Sequence, residues 1–328
     1  MTLQSEHLEE IVSMSRLPLH RLCLVGGLST LALALAAFGP AGPAVAQAAC
    51  GQETRVITHD LGETTIEGQP ERVVALEFSF VDALAAIGVS PVGIADDDKE
   101  RVIPEVRERI ADWTGVGLRQ SPSLQAIAAL DPDLIIADTR RHETIYSQLQ
   151  GIAPTVSLPS VQAGYEENLE SMRAIGAALN QCDAVEQRLS EHETVMADLT
   201  AKVPPDVGGV MFGVTSDKAF TAHDAAGYTP GVLQALGLEY ALAHTGEDTQ
   251  AEMNLETLVS INPAVLFVAG DQEGSLVDEW LANPLGQSLD AAASGTVLFV
   301  DQDLWSRFRG VTASELIAQQ VIGLLGGA

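Results

Sequence analysis

The chain has 328 residues, a length typical of two domains. With 46% hydrophobic and 19% charged residues, its composition excludes a disordered chain. The 45 acidic and 17 basic side chains give a formal charge of -28, which excludes a nucleic-acid-binding surface, because phosphate binding needs a basic one.

Residues 1–46 are predicted to be a secretory signal peptide. Residues 14–21 are short and basic, residues 22–38 are apolar, and the small residues 44–46 form a cleavage site. The apolar run is shorter than the ~20 residues that a membrane-spanning helix needs. The mature protein is therefore expected to be exported to the periplasm.

Two cysteines, Cys50 and Cys182, follow the predicted signal. In an oxidising compartment they could pair or stay free. Cys50 could instead carry a lipid anchor, because Ala48-Ala49-Cys50 resembles the end of a lipobox. Gln47 stands where that motif normally has leucine, so soluble export is favoured over lipidation.

From residue 71 onward, apolar runs of strand length alternate with segments of helical periodicity. This pattern is typical of βαβ units, and it predicts an α/β fold with parallel sheets. The candidate strands are 72–76, 91–95, 133–137, 155–158, 209–214, 264–269 and 296–300.

A long helical interval, 165–203, separates the fourth and fifth candidate strands. Its second half is partly amphipathic, and about 20 residues at ~1.5 Å each make a rod of ~30 Å, roughly a domain diameter. Such a helix could connect two lobes stiffly. We therefore predict an N-terminal lobe over 47–180, a linking helix over 181–205 and a C-terminal lobe over 206–328.

Two segments of the chain, 123–138 and 254–269, resemble each other over 16 positions without a gap. Each is predicted to form a capped helix, a tight turn at Asp-Pro or Asn-Pro, and a buried parallel strand. Any αβ connection can produce such a likeness, but its length favours two lobes of shared architecture. Ligands of open α/β sheets bind beyond the carboxyl ends of the strands, which selects the loops there as candidate sites.

Arginines are concentrated in those loops, despite the acidic composition. A single loop arginine is usually a solvated surface residue, but several that meet across a cleft would form a cationic pocket for carboxylates. Trp305 and Phe308 would supply flat apolar walls. We therefore expect a small anionic ligand. The candidate arginines are Arg119, Arg140, Arg141, Arg307 and Arg309.

Other chemistries are poorly supported by the sequence. GVGLRQ (115–120) lacks the third glycine of a dinucleotide-binding loop, and there is no phosphate-binding GxxxxGK motif. The histidines after the signal have no metal-ligand spacing, and no serine or cysteine lies in a nucleophile motif. The acidic run 96–98 is interpreted as a solvated loop end rather than a weak cation site. No cofactor, resident metal or catalytic residue is therefore predicted.

Several stretches together resemble the substrate-binding proteins of iron-chelate ABC importers, in particular those that bind ferric dicitrate. The likeness extends from about residue 55 to near the C-terminus, and it is densest before residue 160. The segments that carry it are PERVVALEFSFVDALAAIGVSPVGIADD (70–97), IPEVRERI (103–110), GVGLRQSPSLQAIAALDPDLIIADTRRH (115–142), LQGIAP (149–154) and LWSRFRG (304–310).

The resemblance implies two Rossmann-like lobes joined by one long helix, a ferric chelate bound in the cleft, and delivery to a membrane permease with a cytoplasmic ATPase. Such proteins catalyse nothing. In relatives that bind citrate-type chelates, arginines of both lobes contact the ligand carboxylates. The matching positions here are Arg119, Arg141, Arg307 and Arg309, with Arg140 less certain in its role; Trp305 lies in the matching aromatic loop, and Phe78 and Ser79 are further cleft candidates.

The chain departs from the family at one of two docking positions. The family typically has a glutamate on each lobe that pairs with permease arginines. Glu256 fits in the C-terminal lobe, but Gln125 stands at the matching position of the N-terminal lobe. An amide still accepts a hydrogen bond, although a charged pair is stronger.

The sequence thus predicts an exported, monomeric binding protein for a ferric carboxylate chelate, with ferric citrate favoured. Two alternatives remain open. One is a receptor for haem or another siderophore, in which Tyr165, Tyr228 or a histidine reaches the metal. The other is a secreted chelatase or hydrolase on the same α/β architecture, which needs a set of catalytic groups in the cleft.

Overall fold

The computed structural model describes residues 50–326, so the predicted signal peptide lies outside the described residues. The strands are β1 Thr54–His59, β2 Gly62–Glu67, β3 Val73–Ala75, β4 Gly93–Ile94, β5 Thr114–Gly115, β6 Gly117–Leu118, β7 Ser121–Pro122, β8 Leu134–Asp138, β9 Thr155–Leu158, β10 Val210–Thr215, β11 Phe220–His223, β12 Gln250–Glu252, β13 Val265–Ala269 and β14 Val297–Val300. The α-helices are α1 Phe78–Ala86, α2 Pro104–Arg107, α3 Leu124–Ala129, α4 Tyr146–Gln150, α5 Tyr165–Ala178, α6 Cys182–Thr200, α7 Tyr228–Ala235, α8 Leu255–Ile261, α9 Leu276–Ala282, α10 Asp290–Ser294 and α11 Val311–Gly326.

Each lobe is built on one five-stranded sheet. The N-terminal sheet has the order β5-β4-β3-β8-β9, and all of its strands are parallel. Every residue of β8 and β13 is buried, as expected for parallel strands that are covered on both faces. All seven strands predicted from apolar runs are confirmed, each to within one or two residues.

The C-terminal sheet corrects the expectation of purely parallel sheets. Its order is β12-β11-β10-β13-β14, and β10, β13 and β14 are parallel. However, β11 pairs antiparallel with both β10 and β12. The sequence did not indicate these edge strands, because β11 is only four residues long and β12 only three, with mixed polarity.

The internal repeat is confirmed as a shared local structure. Ser123 caps α3 by accepting a hydrogen bond from the N–H of Ala126, and Asn254 caps α8 through the N–H of Thr257. The turns that follow place Asp131 and Asn262 in the left-handed region, at φ 46° and 50°. Each turn then leads into a buried parallel strand, β8 or β13.

The helical interval 165–203 is divided into two helices. After α5 ends at Ala178, a short turn precedes α6, whose 19 residues give a length of about 28 Å at ~1.5 Å per residue. The long amphipathic helix is therefore confirmed, and it packs against α5 and α11. One continuous apolar core includes buried residues of α1, α5, α6, α7 and α11, so helices of both lobes share it.

The beginning of the described chain is fastened to these central helices. Cys50 and Cys182, which the sequence left able to pair, form a disulfide. In the β1–β2 hairpin, buried Arg55 donates hydrogen bonds to the carbonyl oxygens of Ala177 and Ala178 at 3.0 and 2.9 Å. A cation there neutralises the negative end of α5. Within residues 50–326, no helix is both long and apolar enough to cross a membrane.

Candidate functional site

Arginines of both lobes gather around one buried carboxylate, that of Glu77. Glu77 lies between β3 and α1, at the carboxyl end of its strand, and it is fully buried. Nη1 of Arg141, in the loop after β8, lies 2.6 Å from Glu77 Oε1, and Nη1 of Arg119 lies 3.7 Å from Oε2. The loops beyond parallel strands thus meet where the topology predicts a ligand site.

Arg119 is held on three sides. Its Nε and Nη2 atoms lie 2.8 and 2.7 Å from Asp97 Oδ2, and its guanidinium carbon lies 4.4 Å from the ring centre of Phe78. Its carbonyl oxygen accepts a hydrogen bond from Nε2 of buried His142 at 2.7 Å, while Nδ1 of that ring accepts one from the N–H of Asp138. Burial lowers the pKa of His142, which favours this neutral tautomer.

Asp138, at the end of β8, orders the loop that carries Arg141. Its Oδ1 accepts hydrogen bonds from the N–H groups of Arg140 and Arg141 at 3.0 and 2.7 Å. Its Oδ2 accepts two more from Ser160 and Val161, both at 2.9 Å. One carboxylate therefore fixes the backbone of the arginine loop.

Arg309 brings the C-terminal lobe into the cluster. Its side chain is buried, and its Nη1 has no hydrogen-bond partner among the described residues. Burial is the main reason that the pKa of Arg309 is lowered to about 10. The charge of Glu77 raises this pKa, and the charges of Arg141 and Arg119 lower it. The guanidinium stays charged near neutral pH. Its Nη1 donor is buried without an acceptor, which costs free energy unless an acceptor is supplied.

Aromatic rings and a neutral histidine complete the surroundings of the cluster. Phe78 of α1 stacks on Phe308 with ring centres 4.7 Å apart and planes 11° apart, so the contact joins the two lobes. Burial, together with the nearby charge of Arg309, lowers the pKa of His223 to about 3. His223 therefore adds no charge at neutral pH.

Two predicted ligand arginines are engaged elsewhere. Nη1 of Arg307 lies 2.5 Å from Asp303 Oδ1, which also lies 3.3 Å from Nη1 of Arg101, in the N-terminal lobe. Nη1 of Arg140 lies 2.8 Å from Asp248 Oδ1, in the C-terminal lobe. Arg140 thus forms an ion pair between the lobes, whereas Arg307 shares its partner Asp303 with Arg101 of the other lobe. Neither has an ion pair with Glu77 among the described residues.

Trp305 lies in the C-terminal core rather than on an open wall of the cleft. It is fully buried, its ring centre is 5.0 Å from that of Phe267, and its Nε1 donates to Gln320 at 2.7 Å. A π-helical turn, Asp303–Arg307, directs this side chain inward. Ser79, another cleft candidate, is buried and donates to the hydroxyl of Ser160 at 2.7 Å.

The tyrosines considered as metal ligands are engaged inside the protein. The hydroxyl of Tyr165 lies 2.5 Å from His192 Nε2, and that of Tyr228 donates to the carbonyl oxygen of Gly310 at 2.6 Å. Burial raises the pKa of both tyrosines, which disfavours the phenolate that binds ferric iron. Among residues 50–326, no group of three or more His, Cys, Asp or Glu side chains is arranged to hold a metal ion.

The acidic run 96–98 was interpreted as a solvated loop end, but only Asp98 is exposed, while Asp96 is buried and Asp97 is partly buried. Asp96 accepts a hydrogen bond from the indole of Trp113 at 2.8 Å, and Asp98 caps a short 3-10 helix. Asp97 is paired with Arg119, and the hydrogen bonds and charge of that arginine outweigh burial and lower the pKa of Asp97. Asp97 and Glu77 are thus site residues that the sequence interpretation missed. Each of the two acidic residues closely follows a predicted strand, and this position is the sequence signal that indicates them.

The predicted docking residues occupy equivalent positions. Gln125 and Glu256 are each the second residue of a capped helix, α3 and α8, and both are exposed. Beside Glu256 there is a surface cavity of about 580 Å³, whose lining includes Phe220, Met253 and Trp280. Their equivalent positions are those expected of a pair of docking residues, one on each lobe.

Two α/β lobes that share a helical core and enclose arginines from both sides define a bilobed solute-binding protein. Residues 73–304 match the periplasmic binding protein family, and the chain belongs to that family.

Curated relatives support this assignment. The chain is 41% identical over 272 residues to the Fe(3+)-citrate-binding protein YfmC of Bacillus subtilis, covering 83% of this chain and 86% of that one. It is 43% identical over 262 residues to the Fe(3+) dicitrate-binding periplasmic protein FecB of Escherichia coli, covering 80% and 87%. The putative ABC transporter substrate-binding lipoprotein YhfQ of Bacillus subtilis is 33% identical over 281 residues, covering 81% and 86%.

A solved structure confirms the fold. The complex of Staphylococcus aureus SirA with staphyloferrin B superposes with a TM-score of 0.71 at 23% identity, covering 83% of this chain and 98% of that one. At this identity the likeness concerns the fold alone.

Proposed function

We propose that the protein captures a ferric carboxylate chelate, with ferric citrate favoured, in the cleft between its lobes and delivers it to an ABC importer. The single observation that carries this proposal is the cluster of Arg119, Arg141 and Arg309. Among the described residues, Arg119 and Arg141 form ion pairs with Glu77 and Asp97, whereas Arg309 forms none and keeps an unpartnered donor for an anion.

The geometry of the cluster suits carboxylate ligands. Guanidinium groups bind planar anions through paired donors, and buried ones do so strongly because water does not compete. The unpartnered Nη1 of Arg309 offers a donor that a ligand oxygen would satisfy. Phe78 and Phe308 are fully buried and stack on each other, so they hold the loops of the two lobes together beside the cluster.

The relatives support the same ligand class. Two proteins at 41% and 43% identity are named for binding ferric citrate or dicitrate. We infer a binding role without catalysis, with a membrane permease and a cytoplasmic ATPase as partners and a monomer as the working form. Iron would arrive held by its chelator, as cargo rather than as a resident metal.

We also propose that the mature protein is soluble in the periplasm. The disulfide occupies the sulfur of Cys50, so this side chain has no thiol for a diacylglyceryl group. Mass spectrometry of the secreted protein tests the point. A diacylglyceryl mass on the N-terminal cysteine would contradict it.

Calorimetric titration with ferric dicitrate, free citrate, a ferric hydroxamate and haemin tests the ligand class. We expect tight binding of ferric dicitrate by the wild type and a large loss in Arg309→Ala. The matched control is Arg173→Ala, which removes a partly exposed arginine whose ion-pair partners within residues 50–326 are Glu170 and Glu186. A Soret band with haemin, without any binding of ferric dicitrate, would show that the ligand is haem instead.

A further inference from the structure

Glu77 occupies the position that a ligand carboxylate would take among the arginines. Its Oε1 lies 2.6 Å from Arg141 Nη1, and its charge also acts on buried Arg309. Its Oε2 lies 3.7 Å from Arg119 Nη1 and has no hydrogen-bond partner among the described residues. A binding protein for an anion thus keeps an anion of its own at the centre of its cationic cluster.

Electrostatics gives a reason for this arrangement. Arg119 and Arg309 are buried and Arg141 is partly buried, and within residues 50–326 Asp97 pairs with Arg119 alone. Without a further counter-ion the three guanidinium groups would repel one another at the cost of lost hydration. Glu77 relieves this cost when no ligand is bound. It also repels any carboxylate that enters, and the repulsion grows with each further negative charge on the ligand.

The donors left open show where a ligand must compete. Nη1 of Arg309 is unpartnered, whereas Nε and Nη2 of Arg119 are occupied by Asp97 and Nη1 of Arg141 by Glu77. A ligand oxygen can take the open donor of Arg309, whereas a ligand oxygen that binds Nη1 of Arg141 competes with Glu77.

We propose that Glu77 is a resident counter-ion of the arginine cluster and that its charge limits the negative charge of the chelate that the protein accepts. This inference rests on the proposed function. Glu77 is then a specificity-determining residue. Its charge, and not only its hydrogen bond with Arg141, sets which chelates bind.

The test is the Glu77→Gln variant, which keeps the shape and one acceptor oxygen but removes the charge. The control is Glu105→Gln, the same change of charge at an exposed residue of α2. Calorimetry measures the affinity for ferric dicitrate, a polyanion. We expect Glu77→Gln to bind it at least about fivefold more tightly than the wild type, because a negative charge close to the ligand is gone. The control should match the wild type.

A residue that only positions Arg141 would give the opposite result. An unchanged or lower affinity of Glu77→Gln for ferric dicitrate would overturn the inference while leaving the proposed function intact. If Glu77→Gln does not fold, the double variant Glu77→Gln/Arg141→Gln, which removes one charge of each sign, is compared with Arg141→Gln alone. We expect the double variant to bind at least about fivefold more tightly, again through the lost repulsion; a smaller difference overturns the inference.

A second measurement separates the two proposals. Millimolar free citrate, with ionic strength matched by sodium chloride, should raise the melting temperature of Glu77→Gln more than that of the wild type. If the wild type does not bind ferric dicitrate but this difference appears, the proposed ligand fails and the role of Glu77 stands. Equal shifts in both proteins would overturn the role of Glu77.

Discussion

The carboxylate of Asp82, on α1 of the N-terminal lobe, accepts a hydrogen bond from the backbone N–H of Thr312, in the first turn of α11, at 3.0 Å. Its second oxygen accepts one from the N–H of Ala313 at 2.9 Å. A side chain of one lobe thus caps a helix that follows the arginine loop of the other. The approach is so close that a Cβ at Gly310 would lie 2.7 Å from the Asp82 carboxyl carbon.

This cap predicts a pH-dependent stability. Burial raises the pKa of Asp82 from 3.8 to about 6, although the N–H groups of Thr312 and Ala313 oppose the shift. The folded protein therefore holds this proton more tightly than the unfolded chain. The stability that Asp82 contributes is greatest below pH ~4, falls as the pH rises to ~6, and is constant above, a change of about 3 kcal/mol.

The Asp82→Asn variant lacks this titration. We expect the unfolding free energy of the wild type minus that of the variant, measured by urea denaturation from pH 4 to 7, to fall as the pH rises to 6. Carboxylates of lowered pKa, such as Asp97 and Glu315, give the opposite slope in both proteins and cancel in the difference. Parallel profiles would show that Asp82 keeps an ordinary pKa.

Two arginines of the same loop are expected to differ in their effect on binding. Arg309→Ala should lower the affinity for ferric dicitrate by roughly 2 to 5 kcal/mol, because a desolvated charge pair is lost. Arg307→Ala should cost less, since its guanidinium is partly exposed and already paired with Asp303. Calorimetry of both variants checks this order. An equal or larger loss in Arg307→Ala would place the ligand at the Asp303 side of the loop.

The disulfide between Cys50 and Cys182 is expected to stabilise the fold. It closes a loop across a sequence separation of 132 residues, and such a crosslink restricts the unfolded chain. Cys182→Ser should lower the unfolding free energy by about 2 to 5 kcal/mol, with little effect on ligand affinity. Urea unfolding of the wild type with and without reductant provides the control. Equal stability in both conditions would contradict the prediction.

The alternation of buried strands with helices could be predicted because covered parallel strands leave long apolar runs. The repeat around Asp131 and Asn262 was also visible, since both turns need a residue that tolerates a left-handed backbone and a following proline. The β1–β2 hairpin was not visible. Burial alternates along both strands, but two of the buried residues are Arg55 and Thr64 and the apolar Val56 is exposed, so the residue types do not show the alternation.

The arginines of the cluster were predicted from the sequence, but the acidic residues among them were not. Arg119 and Arg141 follow strands closely, so topology alone brings them together. Glu77 and Asp97 also follow strands, but a chain with 45 acidic residues gives no sign of which of them pair with arginines. Trp305 could not be placed from sequence, because an aromatic residue beside an arginine is equally compatible with a cleft wall and with the core.

The last prediction concerns docking to the permease, for which the two lobes present unlike residues at equivalent positions. Glu256→Gln should slow ligand uptake in proteoliposomes that contain the permease, because it removes a charge-assisted contact from one lobe. Gln125→Glu should accelerate uptake, since it restores the second charge that the family typically has. Ligand affinity should be unchanged in both, as both residues are exposed on helices away from the arginine cluster. Glu239→Gln, an exposed change of the same type on the C-terminal lobe, is the control. If Gln125→Glu slows uptake instead, the permease of this protein has lost the matching arginine, and the amide at position 125 is itself the cognate contact.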